Sequence, residues 1–129
     1  MKRHSIVTLL CIAAMAPAAW AGTKGVYSVY VSTTGKYAEG AIGSARNSAD
    51  AYQQLGCGLT AYSAGTPSGY CYARDASGVS AMCNTSDPGL VAQIQSVSTD
   101  GYLRFNWDAS GYCTSIFHSK FSSTETKVP

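Results

Sequence analysis

Two stretches of the chain alternate residue types with a period of two on either side of the same tetrapeptide. Asp-Ala-Ser-Gly occurs at 75 to 78 and again at 108 to 111, each time between strand-like segments. Asp in the first position of a type I turn accepts a backbone N–H, and Gly in the fourth tolerates the left-handed conformation that follows. Both sites therefore read as hairpin turns.

The turns fix a register, because the side-chain period of a strand is two. Around the first, Cys71 and Ala73 face Cys83 and Ala81, while Tyr70, Tyr72 and Arg74 face Asn84, Met82 and Ser80. Around the second, Leu103, Phe105 and Trp107 face Phe117, Ser115 and Cys113. The other side then carries Tyr102, Arg104 and Asn106 against His118, Ile116 and Thr114. In both hairpins the cysteines fall on the more apolar side, which is the expected core face.

Further elements follow from shorter patterns. Val26 to Ser32 reads as an opening strand with Tyr27, Val29 and Val31 on one side, and Leu59 to Ser63 as another after a break at Gly56-Cys57-Gly58. A helix is expected where Asp87 can cap, Pro88 fits the first position, Leu90, Val91, Ile94 and Val97 recur at helical spacing, and Gly101 ends the run. A second helix is expected from Ser48 to Leu55, capped by Asn47, with Tyr52 and Leu55 inward. Residues 120 to 129 show no periodicity. The implied fold is α+β: a small antiparallel sheet of about five or six strands with one or two short helices on one face.

Composition places this domain in a compartment. Lys2, Arg3 and His4 precede an apolar run from Ile6 to Ala16, and Ala19-Trp20-Ala21 puts small residues at both positions before a cleavage point. Residues 1 to 21 thus read as a cleaved secretory signal peptide, and 22 to 129 as a single exported domain, periplasmic or extracellular. The apolar run is too short for a membrane anchor and Pro17 interrupts it. Removing Lys2 and Arg3 leaves seven basic against seven acidic residues. A nucleic-acid partner is disfavoured, because affinity for phosphate backbones comes from clustered Lys and Arg.

Cys11 goes with the signal, leaving Cys57, Cys71, Cys83 and Cys113. In an oxidising compartment these form two disulfides, each contributing about 2 to 4 kcal/mol. Cys71 and Cys83 are directly opposed, with Cβ atoms about 4.5–5.5 Å apart where a disulfide wants about 3.8 Å. That disfavours their bridge and leaves two pairings: 57–71 with 83–113, or 57–83 with 71–113. No cysteine pair has zinc-knuckle spacing and His118 is the lone histidine after the signal, so no metal is expected.

Catalytic patterns are sparse. There is no Gly-x-Ser-x-Gly elbow to partner His118, no phosphate-cradling glycine motif, and no thiol left free once the cysteines pair. No catalytic residue and no cofactor is expected; a small hydrolase using Glu39, Arg46 and His118 is the least supported reading. What stands out is the outward side of the hairpins, where Tyr70, Tyr72, Arg74, Tyr102, Arg104 and Asn106, with His118 nearby, combine rigid aromatics, guanidinium and amide. Those residue types dominate recognition surfaces. The expected function is a non-catalytic binding or inhibitor module for a protein or glycan, the alternative being a structural protein that self-associates through exposed strands. The exported protein should begin at Gly22 and hold no free thiol, which intact mass after alkylation under denaturing, non-reducing conditions will show; any alkylated cysteine in folded material contradicts it.

Overall fold

The computed structural model describes residues 24–124 and 126. The expected signal segment 1–21 and its cleavage point lie outside the described residues. In order, the elements are β1 (Tyr30–Ser32), β2 (Tyr37–Ala41), α1 (Ile42–Asn47), β3 (Gln54–Thr60), β4 (Ser68–Arg74), β5 (Ser80–Thr85), α2 (Pro88–Gln95), β6 (Tyr102–Trp107) and β7 (Cys113–Ser119). The fold is α+β with antiparallel strands, two short helices and two disulfides. The strands divide between two sheets, of order β1-β2-β6-β7 and β3-β4-β5.

The inner faces of the two sheets share one core. Val31, Ala38, Leu103, Phe105 and Cys113 come from the larger sheet, and Leu55, Cys71, Ala73 and Cys83 from the smaller. Leu103 and Phe105 are fully buried, each stabilising the fold by about 1.5–3 kcal/mol. Helix α2 packs on β3, β4 and β7 through Val91 and Ile94, and α1 packs on β2 and β3. No helix among the described residues is long and apolar enough to cross a membrane.

Both Asp-Ala-Ser-Gly turns form as the sequence implies. The Asp75 carboxylate accepts from Ser77 and Val79 N–H at 2.9 and 3.0 Å, and Asp108 accepts from Ser110 and Tyr112 N–H at 2.8 and 3.0 Å. Gly78 and Gly111 are left-handed, at φ 84° and 82°. The first hairpin has the expected register along its whole length, Cys71 opposite Cys83 and Tyr72 opposite Met82.

The second hairpin departs from expectation after one pair. Trp107 faces Cys113, but a register shift between Asn106 and Trp107 then sets Phe105 opposite Ile116, Arg104 opposite Phe117 and Leu103 opposite His118. One extra residue in β7 reverses its remaining side chains. Ile116 therefore packs against the core, while Phe117, expected inside, is 55% exposed.

Three other expectations are corrected. The stretch 48–55 is not a helix: the Asp50 carboxylate accepts from Tyr52 and Gln53 N–H, both at 2.8 Å, and from Gln53 Nε2 at 2.6 Å. That local side-chain bonding competes with helical bonding, and Leu55 instead enters β3. Gly56-Cys57-Gly58 does not break a strand but lies inside β3, where the Cys57–Cys71 bridge and the Tyr70 ring over Gly58 supply the missing packing. The opening strand is limited to Tyr30–Ser32. Upstream, Tyr27 N–H donates to Ser44 Oγ, Val29 N–H to Gln53 Oε1, and Tyr27 O accepts from Ala41 N–H, which leaves Val29 buried and Tyr27 exposed.

The disulfides are Cys57–Cys71 and Cys83–Cys113, one of the two expected pairings. Cys57 and Cys71 are themselves directly opposed across the ladder with Cα atoms 4.0 Å apart, so opposition alone does not forbid a bridge where the strands come this close. Replacing Gly78 or Gly111 by Val should destabilise the protein by about 1–2 kcal/mol. Denaturation midpoints measure the loss, and unchanged midpoints for both variants would contradict the turn geometry.

Candidate functional site

The six outward residues expected to share one face occupy two. Tyr70, Tyr72 and Arg74 lie on the outer side of the three-stranded sheet, whereas Tyr102, Arg104 and Asn106 lie on the outer side of the four-stranded sheet. Because the inner faces meet at the core, the two outer faces look away from each other.

On the four-stranded sheet, the pairing of β2 with β6 sets Tyr37, Glu39 and Ala41 opposite Asn106, Arg104 and Tyr102. Arg104 Nη1 donates to Glu39 Oε2 at 3.1 Å, and its guanidinium lies 4.2 Å from the centroid of the Tyr37 ring. Its Nε donates to Asn106 Oδ1 at 3.4 Å, an oxygen that also accepts from Ser115 Oγ at 3.2 Å. Rings surround this polar centre. Tyr30 packs on Tyr37 at 5.9 Å, and Tyr102 meets Tyr27 and Phe117 edge-on at 5.7 and 6.4 Å. Partial burial and the neighbouring Glu39 carboxylate, a negative hydrogen-bond acceptor, push the Tyr102 phenol up to about 12.

Sequence reasoning missed Tyr30, Tyr37, Glu39 and Phe117 as members of this face. A signal for β2 is present: Tyr37, Glu39 and Ala41 alternate with Ala38 and Gly40 after a Gly35-Lys36 turn. Its inward residues are too small to register as a hydrophobic stripe.

The three-stranded sheet carries a simpler surface. The Arg74 guanidinium sits 5.0 Å from the Tyr52 ring centroid, Met82 and Tyr70 are exposed, and Tyr72 is half-buried.

His118 belongs to neither outer face. The register shift turns it inward beside Leu103, where its Nε2 accepts from Ser98 N–H at 3.2 Å and lies 3.4 Å from Ser98 Oγ. Gly101 makes this approach possible: a Cβ there would collide with the His118 ring and sit 2.8 Å from Ser119 O. Burial, and then the charge of Lys120, push the imidazole below its ordinary value. Glu39 and His118 therefore stand on opposite sides of one sheet, and no acid–base pair forms between them. Among the described residues, no group of three or more His, Cys, Asp or Glu side chains is placed to hold a metal ion.

A cleft of about 350 Å³ lies between α1 and the 48–55 segment and is lined by Arg46, Asp50, Gln53 and Leu55 among others. Two of its polar side chains, Asp50 and Gln53, are committed. Asp50 is held down to about 2 by the Gln53 side chain and by Gln53 and Tyr52 N–H, and Gln53 bonds both Asp50 and Val29. No protein-family model, no curated protein and no solved structure matches this chain.

The His118 geometry fixes a pH dependence. The unfolded chain takes up a proton near the ordinary imidazole value of 6.5, whereas the folded protein does so only at lower pH. Stability from this group is present above 6.5 and is lost as the pH falls toward the depressed folded value. Chemical denaturation between about pH 8 and pH 5 should show a smaller loss for His118→Gln, which keeps an acceptor without titrating; identical profiles for variant and wild type contradict the assignment.

Proposed function

We propose that this protein is an exported, non-catalytic binding module that recognises a protein or glycan partner through an aromatic and arginine-bearing sheet face. The observation that carries the reading is the outer face of the four-stranded sheet, where Tyr30, Tyr37, Tyr102 and Phe117 surround Arg104. Aromatic and Arg side chains are the residue types that contribute most at interfaces. Arg104 is already fixed by Glu39, Asn106 and the Tyr37 ring, so little side-chain entropy is lost when a partner docks. A broad face of this kind, with its charges paired internally, suits a protein surface.

Export is supported by the signal-like segment 1–21 and by the two disulfides, which are consistent with an oxidising environment. At two of the four sheet edges, self-assembly by strand pairing is disfavoured. Edge strand β1 is only three residues long, and β5 spends Asn84 N–H on Gly111 O at 3.1 Å. Short or occupied edges resist edge-to-edge pairing.

Affinity capture from native secretions with immobilised protein tests the reading. Arg104→Ala should cost at most about 1 kcal/mol of stability, because its ion pair is half-exposed, yet weaken partner binding by about 2 kcal/mol or more. Tyr72→Ala, on the other sheet, should leave capture by this face unchanged. Equal retention by the Arg104 variant and wild type, or oligomers by light scattering in place of a captured partner, would overturn it.

A further inference from the structure

We infer that a groove at the end of the three-stranded sheet is a binding site for a neutral pyranose sugar. The groove has a volume of about 220 Å³ and is lined by Tyr70, Tyr112, Asn84, Ser68, Ser86 and Thr60, with Gly69 and Thr85 beneath them. That is below the roughly 300–1,000 Å³ of pockets that enclose drug-sized ligands, and suits a single ring lying on an open surface.

Three observations select the ligand chemistry. The first is aromatic. Tyr70 is 42% exposed and Tyr112 61% exposed; the Tyr70 ring is held from behind, and Tyr112 is held through its backbone. The Tyr70 ring rests over Gly58, where a Cβ would lie 2.7 Å from its Cζ, so one side is held by β3 backbone while the rest is open. Tyr112 N–H donates to Asp108 Oδ1, Tyr112 O accepts from Asp108 N–H, and the residue bridges to Asn84 beside the Cys83–Cys113 disulfide. The negative face of an aromatic ring attracts the weakly positive C–H bonds that a pyranose presents on one side.

The second observation is polar. Among the described residues, the Asn84 side-chain amide and the Ser68, Ser86 and Thr60 hydroxyls make no hydrogen bond to protein, in contrast to Arg104, Glu39 and Asn106, which engage one another. An amide with two donors and one acceptor oxygen, beside rotatable hydroxyls, complements vicinal sugar hydroxyls, each of which donates and accepts. The third is charge. The lining contains no Asp, Glu, Lys, Arg or His, so nothing there favours a uronate, a sulfated sugar or a phosphate.

The site stands independently of the Arg104 face: it shares no residue with it and lies at the end of the other sheet, with Tyr112 reaching it from the β6–β7 turn. The test is titration of the isotopically labelled, disulfide-bonded protein with cellohexaose, maltohexaose and chitohexaose, followed by amide chemical shifts, with oligogalacturonate as the acidic control. At least one neutral oligosaccharide should shift the Tyr70, Asn84 and Tyr112 amides at up to about 10 mM, while the acidic one should not. Tyr112→Ala and Asn84→Ala should each weaken that binding by about tenfold, and Tyr112→Phe, which keeps the ring, should retain it. Arg104→Ala should bind the sugar as wild type does. The inference is overturned if none of the three neutral saccharides shifts these amides, if oligogalacturonate binds as well, or if Arg104→Ala loses the sugar while the groove variants keep it.

Discussion

The disulfide between Cys83 and Cys113 is the constraint on which the two-sheet arrangement depends. It joins β5 of the smaller sheet to β7 of the larger across a sequence separation of 30 residues, a closure that stabilises by about 3–4 kcal/mol in the chain-entropy account. The hydrogen bond from Asn84 N–H to Gly111 O and the bridge between Asn84 and Tyr112 lie immediately beside it. With so few large side chains fully buried, mainly Phe105 and Leu103, a small core of this kind gains from covalent closure. The same clamp holds Tyr112 near Tyr70, so groove and core depend on one bond.

The placement of polar groups separates the two surfaces chemically. On the four-stranded sheet the charges are paired and the rings packed on one another, giving a surface of fixed shape and large aromatic area. At the edge of the three-stranded sheet the amide and hydroxyls are uncommitted and uncharged. The first arrangement suits a macromolecular surface and the second a small neutral polar ligand, and the two need not be occupied together.

The register shift in the second hairpin has the widest consequence of any local feature. Without it Phe117 would point into the core and His118 toward solvent beside Tyr102. With it, Phe117 joins the outer aromatic face, Ile116 fills the core, and His118 closes on Ser98 over Gly101. One unpaired residue therefore removes the histidine from the surface where chemistry with Glu39 was conceivable and gives it a structural, pH-dependent role.

What the sequence determined by itself is what local chemistry dictates. Both Asp-Ala-Ser-Gly turns, the first hairpin's full register, the Asp87-Pro88 start of α2 and the α+β class follow from residues within a few positions of one another, and each is present. Tertiary structure decided the rest. A bulge has no sequence mark here, so the alternation of β7 was legible only as far as Cys113. The Asp50 turn prevailed over a helix because Gln53 is also bonded to Val29, 24 residues away. Strand β2 presents only Ala38 and Gly40 inward, small because the backbone of Ser28 and Val29 comes close to Gly40. The division into two sheets, and with it the separation of the Tyr70 and Arg104 surfaces, depends on which strands pair across long stretches of chain, and the turn residues carry no information about that.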